Sequence, residues 1–378
     1  MMKLIRPAVF TLLTTSAFSA LPPEVPEDCV METVCEGLDA AITMDVAKDG
    51  RIFITEQLGA VRVVQGGKLL AEPFVKLAVD DKMERGVEGV ALHPNFPKTP
   101  WVYVHYVRKA PYPHHVVSRF TAKGPDFNTA VEGSELVMLE GDDQDKTAGK
   151  TLGVHQGGAI RFGADGKLYV TIGEHNSREP SQSMQSLFGK LLRYNEDGTP
   201  AETNPFYKDT TGPHRAICAT GLRNPFGLAV QPETGRMWLT DVGQELFEEI
   251  NEVKLGANYG WPVAEGMVGH TEKFTAPIHT YNRALGTCIA GCVFVPAKSA
   301  LPERFAGKFF FADYSAHWIR FVDPAKPESN EPFATRMQNP IDLAMSPDGS
   351  LLVLARNAGL QDGKLKRNSG VLFRVKAK

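Results

Sequence analysis

Residues 159–171, AIRFGADGKLYVT, are the clearest copy of a pattern that occurs six times in the 378-residue chain. In each copy a short apolar run leads to a turn rich in Pro, Asp, Asn or Gly, and a second apolar run follows. Turns of this kind join antiparallel strands in β-hairpins. The six turns lie near residues 50, 100, 166, 235, 307 and 349.

A third apolar run follows the hairpins, at residues 61–64, 117–120, 191–194, 250–253, 318–321 and 372–375. Three strands per unit, repeated roughly every 40 to 70 residues, are typical of a β-propeller, whose small sheets stack around an axis. The alternative is an unrelated β-sandwich that carries the same turns by chance. Six matches in order favour the propeller, so the sequence predicts an all-β fold, a six-bladed β-propeller over residues 40–378.

The longest segments between the apolar runs are expected to be loops around one mouth of the central channel, at residues 106–116, 175–186, 196–216 and 262–288. The composition is that of an ordinary globular protein, with 43% hydrophobic and 22% charged residues, which excludes a disordered or collagen-like chain. A net charge of −3 gives no electrostatic reason to expect nucleic acid or an anionic membrane as partner.

The first 19 residues have the pattern of a secretory signal peptide. Lys3 and Arg6 form a positive start, residues 8–13 are mostly apolar, and Ala17-Phe18-Ser19 fits a cleavage site. No stretch is long and apolar enough to predict a transmembrane segment. We therefore expect a secreted or periplasmic protein with an N-terminal extension over residues 20–39; the alternative is a terminus that stays attached.

The five cysteines leave at least one thiol unpaired within the chain. Export would permit a disulfide among them, although its pairing cannot be read from the sequence. No CxxC spacing occurs, which disfavours a zinc site built on cysteines. Cys218 is interpreted as an inert buried thiol.

Two short motifs, each just ahead of an inner strand, are the candidate site. His155 precedes Gly157 and Gly158, and a neutral imidazole is suited to take a proton from a hydroxyl. Arg223 and Asn224 precede the next inner strand, where a guanidinium could bind a carboxylate or oxyanion. The structural alternatives are a histidine that bonds neighbouring loops and an arginine that ties adjacent blades together.

An acid-rich turn, residues 241–251, follows directly and is trailed by Tyr259-Gly-Trp-Pro262. Carboxylates beside loop carbonyls suit Ca²⁺, which takes six to eight oxygen ligands. No EF-hand spacing is present, and the alternative is a solvated acidic turn.

Five stretches of the chain resemble the glucose/sorbosone dehydrogenase family. They are residues 86–96 (GVEGVALHPNF), 155–158 (HQGG), 165–173 (DGKLYVTIG), 187–193 (LFGKLLR) and 221–225 (GLRNP) running through to 259–262 (YGWP). The resemblance covers about residues 40–376. It implies a soluble, exported, six-bladed propeller that uses pyrroloquinoline quinone (PQQ) to oxidise aldoses.

The resemblance also implies roles for individual residues. His155 holds the place of the general base, and Glu174 that of the acid following its strand, which is usually Asp. Arg223 and Asn224 correspond to residues that contact the quinone. Ca²⁺ near the cofactor would draw on Glu249 and the Tyr259 carbonyl.

Three departures from the family pattern oppose binding of the PQQ tricarboxylate. Glu84 stands where a glutamine is usual, Ser315 where a lysine is usual, and residues 339–342 (NPID) where an arginine pair is usual. Three lost charge-assisted contacts correspond to about 5–9 kcal/mol. The loss could be offset if other cations, such as Arg85 or Arg336, reach the pocket.

The first functional expectation is oxidation of a sugar at its anomeric carbon to a lactone, by general-base-assisted hydride transfer to PQQ. No CxxCH haem motif is present, so electrons would leave to a separate acceptor. The second is a non-redox propeller of the same family that binds a glycan or a protein. The third is a calcium-dependent lactonase, which the five stretches favour less.

Overall fold

The computed structural model describes residues 22–147, 153–357, 360–361, 364–365 and 367–378. The expected signal peptide over residues 1–19 lies outside this part of the chain. Six sheets make up the described structure, together with one small hairpin, and successive sheets are called blades 1 to 6 below.

Each blade has an inner, a second, a third and an outer strand, hydrogen-bonded in that order. The inner strands of blades 1 to 6 are Ala41–Val46, Val87–Leu92, Gly157–Phe162, Pro225–Val230, Ile289–Phe294 and Pro340–Met345. The second strands are Ile52–Glu56, Trp101–Arg108, Leu168–Ile172, Met237–Asp241, Phe309–Asp313 and Leu351–Ala355.

The third and outer strands complete the blades. The third strands are Ala60–Gln65, His114–Thr121, Lys190–Tyr194, Phe247–Glu252, Trp318–Asp323 and Gly370–Ala377. The outer strands are Lys68–Leu69, Leu136–Glu140, Ile217–Ala219, His279–Asn282, Lys326–Ala334 and Cys29–Leu38. Val75–Lys76 also pairs with the third strand of blade 1.

In the part of the chain that the structure describes, helical structure is limited to short segments between strands. They are the α-helix Gln144–Thr147 and the 3₁₀ turns Glu179–Gln182, Gly212–Ala216 and Glu303–Phe305. The small hairpin pairs Leu360–Gln361 with Lys364–Leu365. None of the helices in the described residues has the length and apolar character needed to span a membrane.

The ring is closed. Each inner strand packs against the inner strands of both neighbouring blades, and that of blade 6 packs against that of blade 1. The second strands are buried throughout in five of the six blades, because each lies between two blade faces. The predicted all-β, six-bladed propeller is confirmed, as are the three predicted strands of every blade.

Blade 6 is built from both ends of the chain. Its outer strand, Cys29–Leu38, pairs antiparallel with Gly370–Ala377. The segment expected as an N-terminal extension, residues 20–39, therefore contains a strand of the propeller.

Buried polar side chains join neighbouring blades at their inner strands. The Thr171 hydroxyl donates to the Pro225 carbonyl at 2.7 Å, and the Thr240 hydroxyl to the Ala290 carbonyl at 2.7 Å. Asp342 of blade 6 accepts the Met44 N–H of blade 1 at 2.8 Å. These bonds fix the register between one blade and the next.

Two local expectations changed. Residues 106–116 are not a long loop, because the strands Trp101–Arg108 and His114–Thr121 occupy most of that stretch. All five cysteines carry free thiols, so the bridge that the sequence left open is not present. Cys218 is fully buried, and burial raises the pKa of its thiol, in line with an inert side chain.

Candidate functional site

The mouth of the ring at which the inner strands begin gathers the residues that precede those strands. His155 and Arg223 come from the segments ahead of blades 3 and 4, and they meet here. Arg223 Nη2 lies 3.2 Å from His155 Nε2. The structure therefore brings these two sequence-predicted groups into direct contact.

His155 is held by two carboxylates. Its Nδ1 lies 2.6 Å from Glu174 Oε1, and its backbone N–H donates to Glu84 Oε2 at 2.7 Å. The second contact fixes His155 in a left-handed backbone conformation, with φ of 56°. These two contacts hold the His155 imidazole in one orientation at the rim of the channel.

Glu174 is an ionised acceptor. It is 1% exposed, and it also accepts the backbone N–H groups of Asn176 and Arg178. Burial acts to raise the pKa of Glu174, but the hydrogen bonds from His155 and Arg178 outweigh it and lower that pKa. An ionised Glu174 requires a proton on Nδ1 of His155, which leaves the Nε2 lone pair facing Arg223.

Arg223 is buried, and part of its guanidinium group already interacts with neighbouring protein groups. Its Nη1 donates to the Val242 carbonyl at 2.8 Å, and its guanidinium lies 5.4 Å from the Trp261 ring centroid. Its Nε is buried and has no hydrogen-bond partner within the described residues. The backbone N–H groups of Arg223 and Asn224 both donate to Asp241, at 2.9 and 2.6 Å.

The central cavity below the mouth has a volume of about 350 Å³. Every blade contributes an inner-strand residue to its wall: Ile42, Glu88, Gly157, Phe226, Ala290 and Ile341. Polar side chains line it as well, namely Gln57, Glu84, Gln156, Asn224, Tyr314 and Arg356. The cavity is therefore an apolar well with polar groups that can orient a ligand.

Glu84 combines access to solvent with a poorly hydrated environment. Its side chain is exposed at the open mouth, although neighbouring protein groups remove part of the hydration of the carboxylate. This loss of hydration raises the pKa of Glu84, against the opposing effect of His155, Arg223 and Arg356.

Arg356 is a cavity residue that sequence reasoning missed. It is 7% exposed, directly follows the second strand of blade 6, and donates to Gln57 Oε1 and the Ala41 carbonyl. A positive residue at the end of a second strand was the available signal, because second strands end at the same mouth where inner strands begin.

Arg85 and Arg336, the two cations that the sequence analysis considered for the pocket, make contacts outside the central cavity. Arg85 pairs with Asp80 at 2.8 Å, and Arg336 pairs with Glu24 at the outer edge of the ring. Neither belongs to the cavity wall as the described residues define it. Neither Arg85 nor Arg336 therefore offsets the lost contacts.

The remaining departure positions carry no cation. Ser315 is exposed and bonds Asp313 through its backbone N–H. Asn339 donates from Nδ2 to the Tyr314 carbonyl at 3.1 Å. Asp342 lies at the contact between blades 6 and 1. Residues 339–342 are Asn, Pro, Ile and Asp, so they supply no positive charge to the cavity.

A second, smaller cavity lies behind Arg223 and is lined by acids. Asp241, Glu249, Glu265 and Tyr259 share it. Glu249 Oε1 accepts the Gly266 N–H at 2.6 Å, and burial raises the pKa values of both Glu249 and Asp241. The structure thus brings Glu249 and Tyr259, both predicted from the sequence, to one oxygen-rich cavity.

The sequence of this chain was compared with models of known protein families. The family model described as Glucose / Sorbosone dehydrogenase matches residues 38–367. The chain belongs to the glucose/sorbosone dehydrogenase family. The resemblance seen in the sequence is therefore confirmed.

One curated relative of this family member spans nearly its whole length. It is the aldose sugar dehydrogenase YliI of Escherichia coli, 27% identical over 375 residues, which cover 91% of this chain and 95% of the relative. The mouse Hedgehog-interacting protein is 28% identical over 234 residues, covering 53% of this chain and 31% of the relative.

Solved structures show the same propeller. An oxidoreductase (glucose dehydrogenase) of Thermus thermophilus is 28% identical, with a TM-score of 0.77, covering 92% of this chain and 99% of that one. The PQQ-bound aldose sugar dehydrogenase of Streptomyces coelicolor is 23% identical, with a TM-score of 0.74, covering 93% and 100%.

Proposed function

We propose that the protein is a PQQ-dependent aldose dehydrogenase that oxidises the anomeric carbon of a sugar to a lactone. The carrying observation is the chain of contacts from Glu174 through His155 to Arg223 at the rim of a cavity. Membership of the family and likeness to the aldose sugar dehydrogenase YliI support the reaction class.

The residues at the mouth fit a planar tricarboxylate quinone. A volume of about 350 Å³ lies within the usual range for small-molecule sites. Arg356 supplies a guanidinium group and Asn224 an amide to its wall, and Arg223 directly precedes Asn224 beside the smaller acidic cavity. The unpartnered Nε of Arg223 is a donor that a ligand oxygen would satisfy. Glu84 opposes the ligand when ionised and tolerates it when protonated.

PQQ, when bound, supplies a quinone carbon that accepts the hydride of the sugar. The residues of this chain handle the proton and the charge. His155 Nε2 takes the proton of the anomeric hydroxyl, while Glu174 holds Nδ1–H and stabilises the imidazolium that forms. Arg223 Nη2 now donates to Nε2, and a substrate hydroxyl at that nitrogen would free the guanidinium to stabilise developing negative charge.

The acidic cavity behind Arg223 is proposed to hold Ca²⁺. Its donors are oxygens, the ligand type that Ca²⁺ prefers, and two of its carboxylates are buried with raised pKa values. A cation there would hold Asp241, and through it the backbone of Arg223 and Asn224, in place.

The decisive experiment is reconstitution of purified protein with PQQ and Ca²⁺, followed by aldose-dependent reduction of a dye as the electron acceptor. We expect turnover that requires both additions and that His155→Ala abolishes. Absence of turnover together with absence of calorimetric PQQ binding would contradict the proposal. We further expect an exported protein whose electrons pass to a separate acceptor.

A non-redox binding module is the second candidate. Glu84 at the mouth and the uncharged Ser315 and Asn339 favour it, since all three weaken recognition of a tricarboxylate. The match to Hedgehog-interacting protein shows that relatives include a protein whose name denotes interaction. Specific hits on a glycan array by protein that gives no PQQ turnover would favour this candidate.

A further inference from the structure

Blade 2 carries a buried cluster of three side chains of metal-ligand type, of which Glu88 also lines the central cavity. One side chain comes from each of three adjacent strands: Glu88 from the inner strand, His105 from the second and His115 from the third. Their exposed fractions are 3%, 0% and 0%. None of the three takes part in the proposed sugar chemistry.

The three donor atoms are arranged as around a single ion. His105 Nε2 lies 2.9 Å from His115 Nδ1, and Glu88 Oε2 lies 3.8 Å and 3.4 Å from these two nitrogens. A point equidistant from the three atoms is about 2.0 Å from each, close to the distance at which Zn²⁺ binds imidazole nitrogen and carboxylate oxygen.

Glu88 lacks a partner without such an ion. Both of its carboxylate oxygens are buried and have no hydrogen bond in the part of the chain that the structure describes. Leaving a buried polar group unsatisfied is unfavourable, and leaving a buried charge unsatisfied is more so. A divalent cation between Glu88 and the two imidazoles would satisfy the carboxylate.

The outer partners of both histidines are those that metal-bound imidazoles need. His105 Nδ1 lies 3.3 Å from the Gly158 carbonyl, which accepts its proton and leaves Nε2 for the ion. His115 Nε2 lies 3.0 Å from His175 Nε2, so the outer nitrogen of the second histidine has an imidazole partner. The Arg85 charge nearby is balanced by Asp80 at 2.8 Å.

The backbone of blade 3 approaches the cluster closely at Gly158. Gly158 has φ of 111°, and a Cβ there would lie 2.8 Å from Glu88 Cβ. Only glycine allows this close approach of blade 3, which brings the Gly158 carbonyl to His105. The cluster thus lies at the joint between blades 2 and 3, next to the segment that carries His155.

We propose that Glu88, His105 and His115 form a binding site for a divalent transition-metal ion, of which Zn²⁺ is the best match. Two imidazoles and one carboxylate are a recognised zinc ligand set and leave a fourth position for water. The ion pins blade 2 to blade 3 through Gly158 and His175. The site is separate from the acidic cavity beside Arg223, and the proposal stands whether or not the protein binds PQQ.

The test is calorimetric titration of chelator-treated protein with Zn²⁺, after Ca²⁺ has been restored, and with Co²⁺ as a spectroscopic probe. We expect about one equivalent bound below ~1 μM, Co²⁺ absorption bands typical of nitrogen and oxygen ligands, and a higher melting temperature with metal. Glu88→Leu and His105→Asn should each weaken binding by about 100-fold or more and abolish the metal-dependent rise in melting temperature.

Matched controls separate the site from general histidine binding. His93→Asn removes another histidine of blade 2 that pairs with a glutamate, Glu196, and should bind Zn²⁺ like the parent. Glu88→Leu replaces an unpartnered carboxyl with an apolar side chain, so the metal-free variant should be folded by circular dichroism. Absence of tight Zn²⁺ binding by the parent protein, or equal binding by the parent and His105→Asn, would overturn the proposal.

Discussion

Glu84 is an acidic side chain of the cavity mouth, and its charge works against an anionic ligand. It contacts the His155 backbone and lies in a poorly hydrated position that raises its pKa. Its protonation state therefore determines how negative the rim of the cavity is. Arg223 and Arg356 are the cations that it faces across the cavity mouth.

Replacing Glu84 by glutamine should strengthen PQQ binding by about tenfold or more, because it removes a negative charge worth on the order of 1.4 kcal/mol. In the parent protein the affinity should fall as pH rises and Glu84 loses its proton, whereas Glu84→Gln should lack this dependence. Calorimetry across pH measures both effects. Glu140→Gln, an exposed surface change, is the control, and weaker binding by Glu84→Gln would contradict the prediction.

Glu174 is a positioning residue, since it acts on the substrate only through His155. Glu174→Gln should lower kcat by roughly 10²–10⁴-fold, because an amide can stabilise the tautomer that has no lone pair at Nε2. KM should change little, and Glu174→Asp should restore part of the rate. Steady-state kinetics decide the matter: equal loss in the Gln and Asp variants, with raised KM, would indicate a merely structural role.

The sequence predicted which residues meet at the mouth because His155 and Arg223 each directly precede an inner strand, and those starts share one end of a ring. Arg356 and the Glu88 cluster were missed for a different reason. Whether His105 and His115 meet Glu88 depends on which face of a second or third strand is turned to it, and a fully buried strand shows no alternation of apolar and polar residues. Arg356 directly follows such a buried second strand, Leu351–Ala355.

At the contacts between neighbouring blades, a single buried side chain can change the free energy of unfolding. Asp342 accepts the Met44 N–H and lies in the wall between blades 6 and 1. Burial raises the pKa of Asp342 to about 6, against the opposing charge of Arg161. The folded state therefore binds this proton more tightly than the unfolded state does.

The contribution of Asp342 to the free energy of unfolding should be full below its ordinary pKa and should be lost as pH rises through about 6. The loss corresponds to about 3 kcal/mol. Asp342→Asn cannot ionise, so its stability should fall less between pH 4 and 7 than that of the parent. Urea unfolding at several pH values measures the difference, and parallel pH profiles would show that the prediction is wrong.

The outer strands explain why the sequence showed three strands per blade and not four. Lys68–Leu69 has two residues and Ile217–Ala219 has three, too few for any period to be recognised. Lys326–Ala334 is longer but mostly exposed, so it lacks an apolar run. Strands at the periphery form because the third strand offers an edge, and not because of their own composition.

At the scale of the whole molecule, stability depends on the strand Cys29–Leu38 that completes blade 6. A chain that begins after Leu38 should melt at least about 5 °C lower than one that begins at Pro22. It should also aggregate more readily, because Gly370–Ala377 would become an exposed edge. Thermal unfolding and light scattering of the two truncated proteins test this, and equal melting temperatures would contradict it.

This pairing across the ends of the chain also governs the order of events in biogenesis. Strand Cys29–Leu38 is synthesised early, but its partner is on the order of 300 residues further along, so it stays unmatched through most of translation. Until residues 370–377 emerge, five blades can assemble only as an open arc with two bare ends. Such an intermediate exposes unpaired strand edges that chaperones would bind. Two such chains could also exchange their Cys29–Leu38 strands and form a domain-swapped dimer.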